Sequence, residues 1–161
     1  MHTFHSSIQT PLGTLQLRCN DTHVQEISFR EAVEARNDSH PLLQLCAEQL
    51  EAYFDGRLKT FDLPVAFEGS PFQQKVWTLL GDIPFGKTLS YLALAQQYGD
   101  VKAIRAVAAA NGRNVLAVVV PCHRVIGSNR SLTGYAGGLW RKKWLLEHES
   151  RLYHGASQLS F

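Results

Sequence analysis

The sequence predicts an α+β protein in two parts: a small antiparallel sheet covered by one helix, then a mostly helical half built around a helix-turn-helix. Three observations carry this. Apolar residues alternate in short segments over the first thirty positions; they shift to three- and four-residue steps over residues 41–55; and after Gly69 short helical patterns follow one another across a Gly turn. A chain of 161 residues is long enough for one domain or two small ones.

The alternating segments are residues 4–8, 14–17 and 24–29. Thr10-Pro11-Leu12-Gly13 and Asn20-Asp21, both turn formers, separate them, which makes an antiparallel meander. Over 41–55, Leu42, Leu45, Cys46, Leu50, Tyr53 and Phe54 form a helical stripe that Gly56 stops, giving an amphipathic helix to cover the sheet. Residues 57–69 hold Pro64 and Gly69 and no helical period. They read as a linker between a domain over 1–69 and a second over 70–161.

The second half opens on Ser70-Pro71-Phe72-Gln73, a capping box with proline at the first helical position, and Phe72, Val76, Leu79 and Leu80 continue the stripe of a helix over 71–80. Residues 83–87 form a loop. Ser90 caps a short helix over 91–97 with Leu92, Leu94 and Ala95 inward. Tyr98-Gly99-Asp100 turns the chain, and Asp100 caps a helix over 101–111 made of small residues around a single protruding cation, Arg105. Recognition helices usually present Gln, Asn, Arg or Ser to base edges, whereas this one presents alanines such as Ala106. Two readings stay open from the residues alone: a thin helix that presses into a shallow groove, or a buried Ala-rich core helix.

Composition excludes several classes. Hydrophobic residues are 45% and charged residues 19%, a balance that folds, unlike a disordered or fibrous chain. The longest apolar run, residues 115–120, is far short of the ~20 residues of a membrane helix. The N-terminus has no basic and apolar leader, so the expected location is the cytoplasm. Residues 1–70 hold 5 Lys+Arg against 10 Asp+Glu, and residues 71–161 hold 11 against 4, so the second half is the one suited to a polyanion. Three cysteines, an odd number, give no disulfide framework, and the seven histidines never take a short ligand spacing. His2, His5, Cys19 and His23 are the one combination that could converge on a metal, and no metal is expected.

The run 115–120 reads as a buried strand that ends in Pro121-Cys122-His123-Arg124. An isolated cysteine is commonly a small buried hydrophobe, but neighbouring His123 and Arg124 favour a thiolate at Cys122. Cys19 and Cys46 have no such company.

These pieces resemble a known family, the O6-alkylguanine-DNA alkyltransferases, also called methylated-DNA-protein-cysteine methyltransferases. The resemblance spans nearly the whole chain. It includes Thr10-Pro11-Leu12-Gly13, Ala52-Tyr53-Phe54-Asp55-Gly56, Phe72-Gln73-Gln74-Lys75-Val76-Trp77 and Ile83-Pro84-Phe85-Gly86-Lys87-Thr88-Leu89-Ser90-Tyr91. Its most specific parts are Pro121-Cys122-His123-Arg124-Val125-Ile126-Gly127, Thr133-Gly134-Tyr135-Ala136-Gly137-Gly138 and Trp144-Leu145-Leu146-Glu147-His148-Glu149.

The resemblance implies a ribonuclease-H-like N-terminal domain and a C-terminal domain with a winged-helix-like helix-turn-helix bearing the reactive Cys122. It also implies double-stranded DNA as partner, bound through the minor groove by a monomer that flips the damaged base out of the stack. Arg105 would fill the gap, Tyr91 would rotate the target phosphate, Ser128 would lie in the loop that closes the pocket, and Asp100 and Ala106 belong to the same DNA-facing set. The family's relay carries over onto Cys122, His123, Glu149 and Asn114, and Tyr135 matches the tyrosine that hydrogen-bonds the flipped base. His123 takes the thiol proton, Glu149 orients the imidazole, and the sulfur displaces guanine from the alkyl carbon. A thioether has no labile bond, so one molecule repairs one base, and no cofactor is needed.

Two departures stand out. Val115 follows Asn114 where many members have proline, and Asn20 and Gln25 occupy two places where some members hold zinc, so no zinc is expected. A non-repairing damage-binding relative would lack Cys122. A cysteine hydrolase would need an oxyanion loop that the sequence does not display.

Overall fold

The computed structural model describes residues 2–31 and 36–154, and the chain divides into two compact units. The first takes in the chain up to Glu68 together with Val115–Val119, and the second takes in Gly69–Asn114 and the chain from Val120 onward.

In the first unit the expected meander is present. Strands β1 (Phe4–Thr10), β2 (Gly13–Cys19) and β3 (Val24–Ser28) pair antiparallel in that order, with Ile8 opposite Leu15 and Leu17 opposite Ile27. The first turn is tight because Gly13 takes φ +106°, and Thr10 Oγ1 accepts from Leu12 N (3.0 Å) and donates to the Gly13 carbonyl (2.8 Å). In the second, Asn20 Oδ1 accepts from Thr22 N and His23 N, the side-chain mimic of a backbone turn.

Helix α1 (Pro41–Phe54) packs on all three strands. Its buried stripe is Leu43, Cys46, Leu50 and Tyr53, at steps of three, four and three; the sequence pattern placed the start of the stripe at Leu42 and Leu45, but Leu45 is 38% exposed. One residue is 100° of rotation, so a stripe through Cys46 and Leu50 takes Leu43 and turns Leu45 out.

The segment expected as a linker is fastened to the unit. Val24 N donates to the Pro64 carbonyl (2.8 Å), Ala66 N to the Val24 carbonyl (2.9 Å), and Gln49 exchanges two hydrogen bonds with the backbone of Asp62. Three residues on, Ile27 N donates to the Val115 carbonyl and Ala117 N to the Ile27 carbonyl. Single bridges at Val65 and Leu116 thus occupy the outer edge of β3.

The second unit begins with α2 (Pro71–Leu80), whose capping box closes reciprocally: Ser70 Oγ accepts from Gln73 N (3.1 Å) and Gln73 Oε1 from Ser70 N (3.0 Å). Ser90 caps α3 (Tyr91–Tyr98), which Gly99 ends at φ +108°. Leu94 and Ala95 are buried, but Leu92 is 42% exposed, contrary to expectation, because residues two apart on a helix face opposite sides. Asp100 Oδ1 accepts from Lys102 N, yet the turn it caps, Val101–Ala103, is a 3₁₀ turn, and α4 runs from Ile104 to Gly112. The long helix α5 is Leu139–His154. A two-residue parallel pair, β4 (Leu89–Ser90) with β5 (Val125–Ile126), is too short for any sequence period to reveal. Helices α2, α3 and α4 pack pairwise, and the buried Trp77 Nε1 donates to the Ala110 carbonyl at 2.8 Å.

Ser70→Ala removes one half of the capping box. It should cost about 1 kcal/mol of stability, measurable as a lower thermal midpoint; an unchanged midpoint would show that the box is idle.

Candidate active site

The approach to Cys122 is not the strand that the sequence suggests. After the bridge at Leu116 the chain turns: Val118 has φ +70°, a left-handed conformation that is rare for a β-branched residue, and Val119 N donates to the Ala117 carbonyl. Pro121 (φ −84°, ψ 62°) then bends the chain so that Cys122 N reaches the Val120 carbonyl at 2.8 Å, a three-residue turn. Asn114 Nδ2 also donates to the Val120 carbonyl (2.8 Å) and so ties together the two ends of this excursion. Cys122 opens a 3₁₀ turn, Cys122–Arg124, and is 7% exposed.

That turn projects two side chains onto one carboxylate. His123 Nε2 lies 2.7 Å from Glu149 Oε2, and Arg124 donates from Nε to Oε1 (2.8 Å) and from Nη2 to Oε2 (3.1 Å). Arg124 Nη1 donates to the Ile83 carbonyl (2.6 Å), and Gly86 N reaches Glu149 Oε1 at 3.4 Å. His123 is fully buried and Glu149 is 1% exposed. Burial pushes the Glu149 carboxyl up, but His123 and Arg124 outweigh it and hold it well below the usual carboxylate range. Burial pushes the His123 imidazole down; Glu149 opposes this, while Arg124 and Lys142 add to it, so the ring rests neutral beside an ionised carboxylate. His123 Nδ1 makes no hydrogen bond.

The thiol answers to other groups. Burial pushes Cys122 up, and the Asn114 hydrogen bond and the Lys142 charge only partly offset it, so the sulfur rests protonated. Lys142 was not foreseen. It is completely buried in α5, donates to the Thr133 carbonyl (2.9 Å) and the Tyr91 hydroxyl (3.5 Å), and is pulled down to about 8 by burial against the opposing pull of Cys122. A signal existed: Lys142, Leu145, Leu146 and Glu149 share one helical face at spacings of three, four and seven. Asn111, also unforeseen, is 2% exposed and donates from Nδ2 to the Cys122 carbonyl at 3.4 Å.

The remaining expected residues fall into two groups. Tyr91 donates to the Thr133 carbonyl (2.9 Å), and burial raises its hydroxyl; the Tyr135 hydroxyl is buried without a partner and raised well above its ordinary value, mainly by burial. Arg105, Ala106, Asp100 and Ser128 are exposed, Asp100 as the cap of the 3₁₀ turn. On α4 the buried face is Val107, Ala110 and Asn111, so the Ala-rich helix is half-exposed, which decides against the fully buried reading. Cys19 and Cys46 are buried in the first unit, where burial raises both thiols, Cys46 to about 12. Among the described residues no three His, Cys, Asp or Glu side chains converge as a metal site would require.

Comparison with known proteins decides the family. Residues 71–151 match the 6-O-methylguanine DNA methyltransferase DNA-binding domain, and residues 3–67 match the ribonuclease-like domain of the same methyltransferase. The chain belongs to the 6-O-methylguanine DNA methyltransferase family. A Methanosarcina barkeri relative, named methylated-DNA–protein-cysteine methyltransferase, is 41% identical over 91% of this chain and 96% of its own. The constitutive Bacillus subtilis methyltransferase of that name is 42% identical over 92% and 96%. Among solved structures, Mycobacterium tuberculosis OGT in complex with DNA superposes with a TM-score of 0.86 at 39% identity, covering 92% of this chain and 94% of that one. The α+β expectation, with a ribonuclease-like first domain, agrees with this membership. Among the described residues no helix is long and apolar enough to cross a membrane.

Both perturbed groups make the fold acid-sensitive, in separate windows. His123 is held low, so below about pH 6.5 the unfolded chain binds a proton that the folded chain refuses. Glu149 is also held low; its stabilisation is complete above the unfolded carboxyl value of about 4.3 and is lost as pH falls below it. Thermal midpoints should therefore fall in two steps on acidification, the upper one absent in His123→Gln and the lower one reduced in Glu149→Gln, where Glu26 and Asp38, also held low, still contribute. One common profile for all three proteins would contradict these assignments.

Proposed function

We propose that this protein repairs DNA by direct reversal: it moves a methyl or other alkyl group from O6 of guanine to the sulfur of Cys122, once and irreversibly. The observation that carries the reading is the buried His123–Glu149 pair adjoining a nearly buried thiol, in a chain whose relatives are named for this transfer. Residues 70–161 bind DNA and carry the chemistry, and residues 1–69 are the scaffold. The protein works as a monomer in the cytoplasm, without metal or cofactor.

In the reaction His123 Nδ1 accepts the Cys122 proton through a bridging water, while Glu149, kept ionised by Arg124, stabilises the imidazolium. The thiolate attacks the alkyl carbon. The C–S bond forms, the C–O bond breaks, and the electron pair of that bond leaves on guanine O6, whose ring then takes up a proton. Lys142 supplies positive charge beside the sulfur as its own charge develops, and the buried Tyr135 hydroxyl donates to the departing base. The product thioether has no leaving group that water can displace, so the thiol is not restored.

Delivery of the base rests on α4. Its exposed side carries Arg105 with Ala106 and Ala109, a thin profile suited to the minor groove, and Arg105 takes the place of the extruded nucleotide. Tyr91 turns the target phosphate, Ser128 closes the pocket, and the excess of cations in residues 71–161 favours the phosphate backbone.

Incubation with excess O6-methylguanine duplex should add one methyl mass, on the Cys122 peptide alone, and then stop. Repeated turnover, or label on Cys19 or Cys46, would overturn the proposal. Arg105→Ala should slow repair of duplex DNA at least tenfold more than it slows reaction with free O6-benzylguanine, since extrusion and sulfur chemistry are separate tasks; equal losses would remove Arg105 from extrusion.

A further inference from the structure

We propose that Tyr153 is a positioning residue for the transfer: its ring, packed on Gly86 and faced by the Lys87 ammonium, holds the Gly86 N–H on Glu149. The inference rests on the repair reading and extends it to a side chain four places beyond the carboxylate of the relay.

Residues 84–87 form a tight turn. Lys87 N donates to the Pro84 carbonyl at 3.1 Å, and Gly86, in the third position, has φ +79°, which makes the turn type II. The type I alternative reverses the peptide between Phe85 and Gly86, taking the Gly86 N–H off the carboxylate and turning the Phe85 carbonyl toward it. Glycine adopts either sign of φ about as readily, so residue 86 does not choose between the two by itself. A neighbour has to. A Cβ at Gly86 would come within 2.6–2.7 Å of the Cβ, Cγ and Cδ2 atoms of Tyr153, so that side chain lies directly against the glycine. Lys87 Nζ is 4.4 Å from the centre of the same ring, which fastens the next residue of the turn to it as well. The other end of the loop is held separately, with Phe85 buried near the Arg124 guanidinium and the Ile83 carbonyl accepting from Arg124 Nη1.

Tyr153 follows Glu149 by one helical turn on α5, so the two share a face. Gly86 meets both: the Tyr153 side chain packs on it, and its N–H reaches Glu149 Oε1 at 3.4 Å. The charged and titratable groups that face Glu149 and His123 are Cys122 and Arg124 of the 3₁₀ turn, Tyr135, and Lys142 on α5. Around Tyr153 they are Lys87 and His154, whose ring meets it edge-on at 4.8 Å. Without the ring the turn is free to reverse its peptide, and Glu149 becomes a weaker support for a protonated His123. Removal of the Cys122 proton then depends more on the pH of the solution, which moves the rate toward alkaline conditions.

The test follows single-turnover alkylation of Cys122 by free O6-benzylguanine, read by mass on the full chain between about pH 6 and pH 9. Tyr153→Phe, which keeps the ring, should match wild type. Tyr153→Ala should be at least fivefold slower near neutral pH, and the gap should narrow above about pH 8.5, where a thiolate forms with less help from a base. A Tyr153→Ala profile equal to that of wild type overturns the proposal. So does an equal loss at every pH, which is the mark of packing alone. The same alkaline shift in His154→Ala would assign the effect to that imidazole and overturn it too. Tyr153→Gln, a good helix former without the ring, gives the same comparison should the alanine protein fold poorly. If wild type itself leaves Cys122 unalkylated, the repair reading fails instead, a result distinct from an unshifted profile.

Discussion

A carboxylate that is 1% exposed must be matched by charge and hydrogen bonds, or it takes up a proton. Glu149 is matched from three directions: by the imidazole of His123, by two arms of Arg124 and by the backbone of Gly86. Each partner fixes a piece of the second unit. His123 and Arg124 set the turn that begins with Cys122, the third arm of Arg124 holds the Ile83 carbonyl, and Glu149 itself belongs to α5. Gly86 is required on two grounds. Its φ is +79°, and a Cβ there would come within 2.6 Å of the Tyr153 side chain. One charge therefore holds a loop, a turn and a helix in register, and loss of Arg124 would leave it buried and uncompensated, a change of about 3–5 kcal/mol in comparable pairs.

The same charge arrangement separates two duties that adjacency in sequence merges. His123 and Arg124 follow Cys122 directly, which suggests that both sustain a resting thiolate. Arg124 is instead bound to Glu149, and the sulfur feels Asn114 and Lys142, not enough to overcome burial. The resting site holds a thiol, a neutral imidazole and an ionised carboxylate. In the proposed transfer such a site gains nothing from a thiolate in the ground state; its charges would act as the proton leaves and the C–S bond forms, which is where stabilisation accelerates a reaction. A protonated sulfur is also slow to oxidise, an advantage for a thiol used once.

Local signals in the sequence were sufficient where the structure is set by neighbours along the chain. The capping box at Ser70, the turn at Gly13, the stop at Gly99 and the stripe of α1 all involve residues within a few positions of each other. The strand expected over 115–120 failed because its β-branched residues report burial and not pairing: only Leu116 finds a strand neighbour, and Val118 turns left-handed. In the site, Cys122 and His123 were legible from adjacency, and Glu149 and Tyr135 only through family resemblance. The clamp by Arg124, the cation of Lys142 and the amide of Asn111 depend on contacts 9 to 51 positions apart, which no local period encodes. Lys142 came closest, as a cation out of place on an apolar helical face.

Helix α4 shows what alanine does in the element proposed to meet DNA. Arg105 and Asn111 are six residues apart, about 9 Å along the axis and roughly 240° around it. One points outward and the other reaches the carbonyl of Cys122. Small residues between them keep the helix thin on its exposed side and allow α2 and α3 to pack closely on its buried side, where Trp77 donates to the Ala110 carbonyl. A larger side chain at Ala106 or Ala109 would widen the exposed profile, while one at Ala110 would displace the indole. The helix is therefore constrained on its inner face by packing that holds the amide of Asn111 against the Cys122 carbonyl, and on its outer face, in the proposed function, by the width of the groove. A base-reading helix of the ordinary kind, rich in long polar side chains, could meet neither constraint. Under the proposed repair reading, base recognition moves off the groove-facing surface and into the buried site, where the base is met singly.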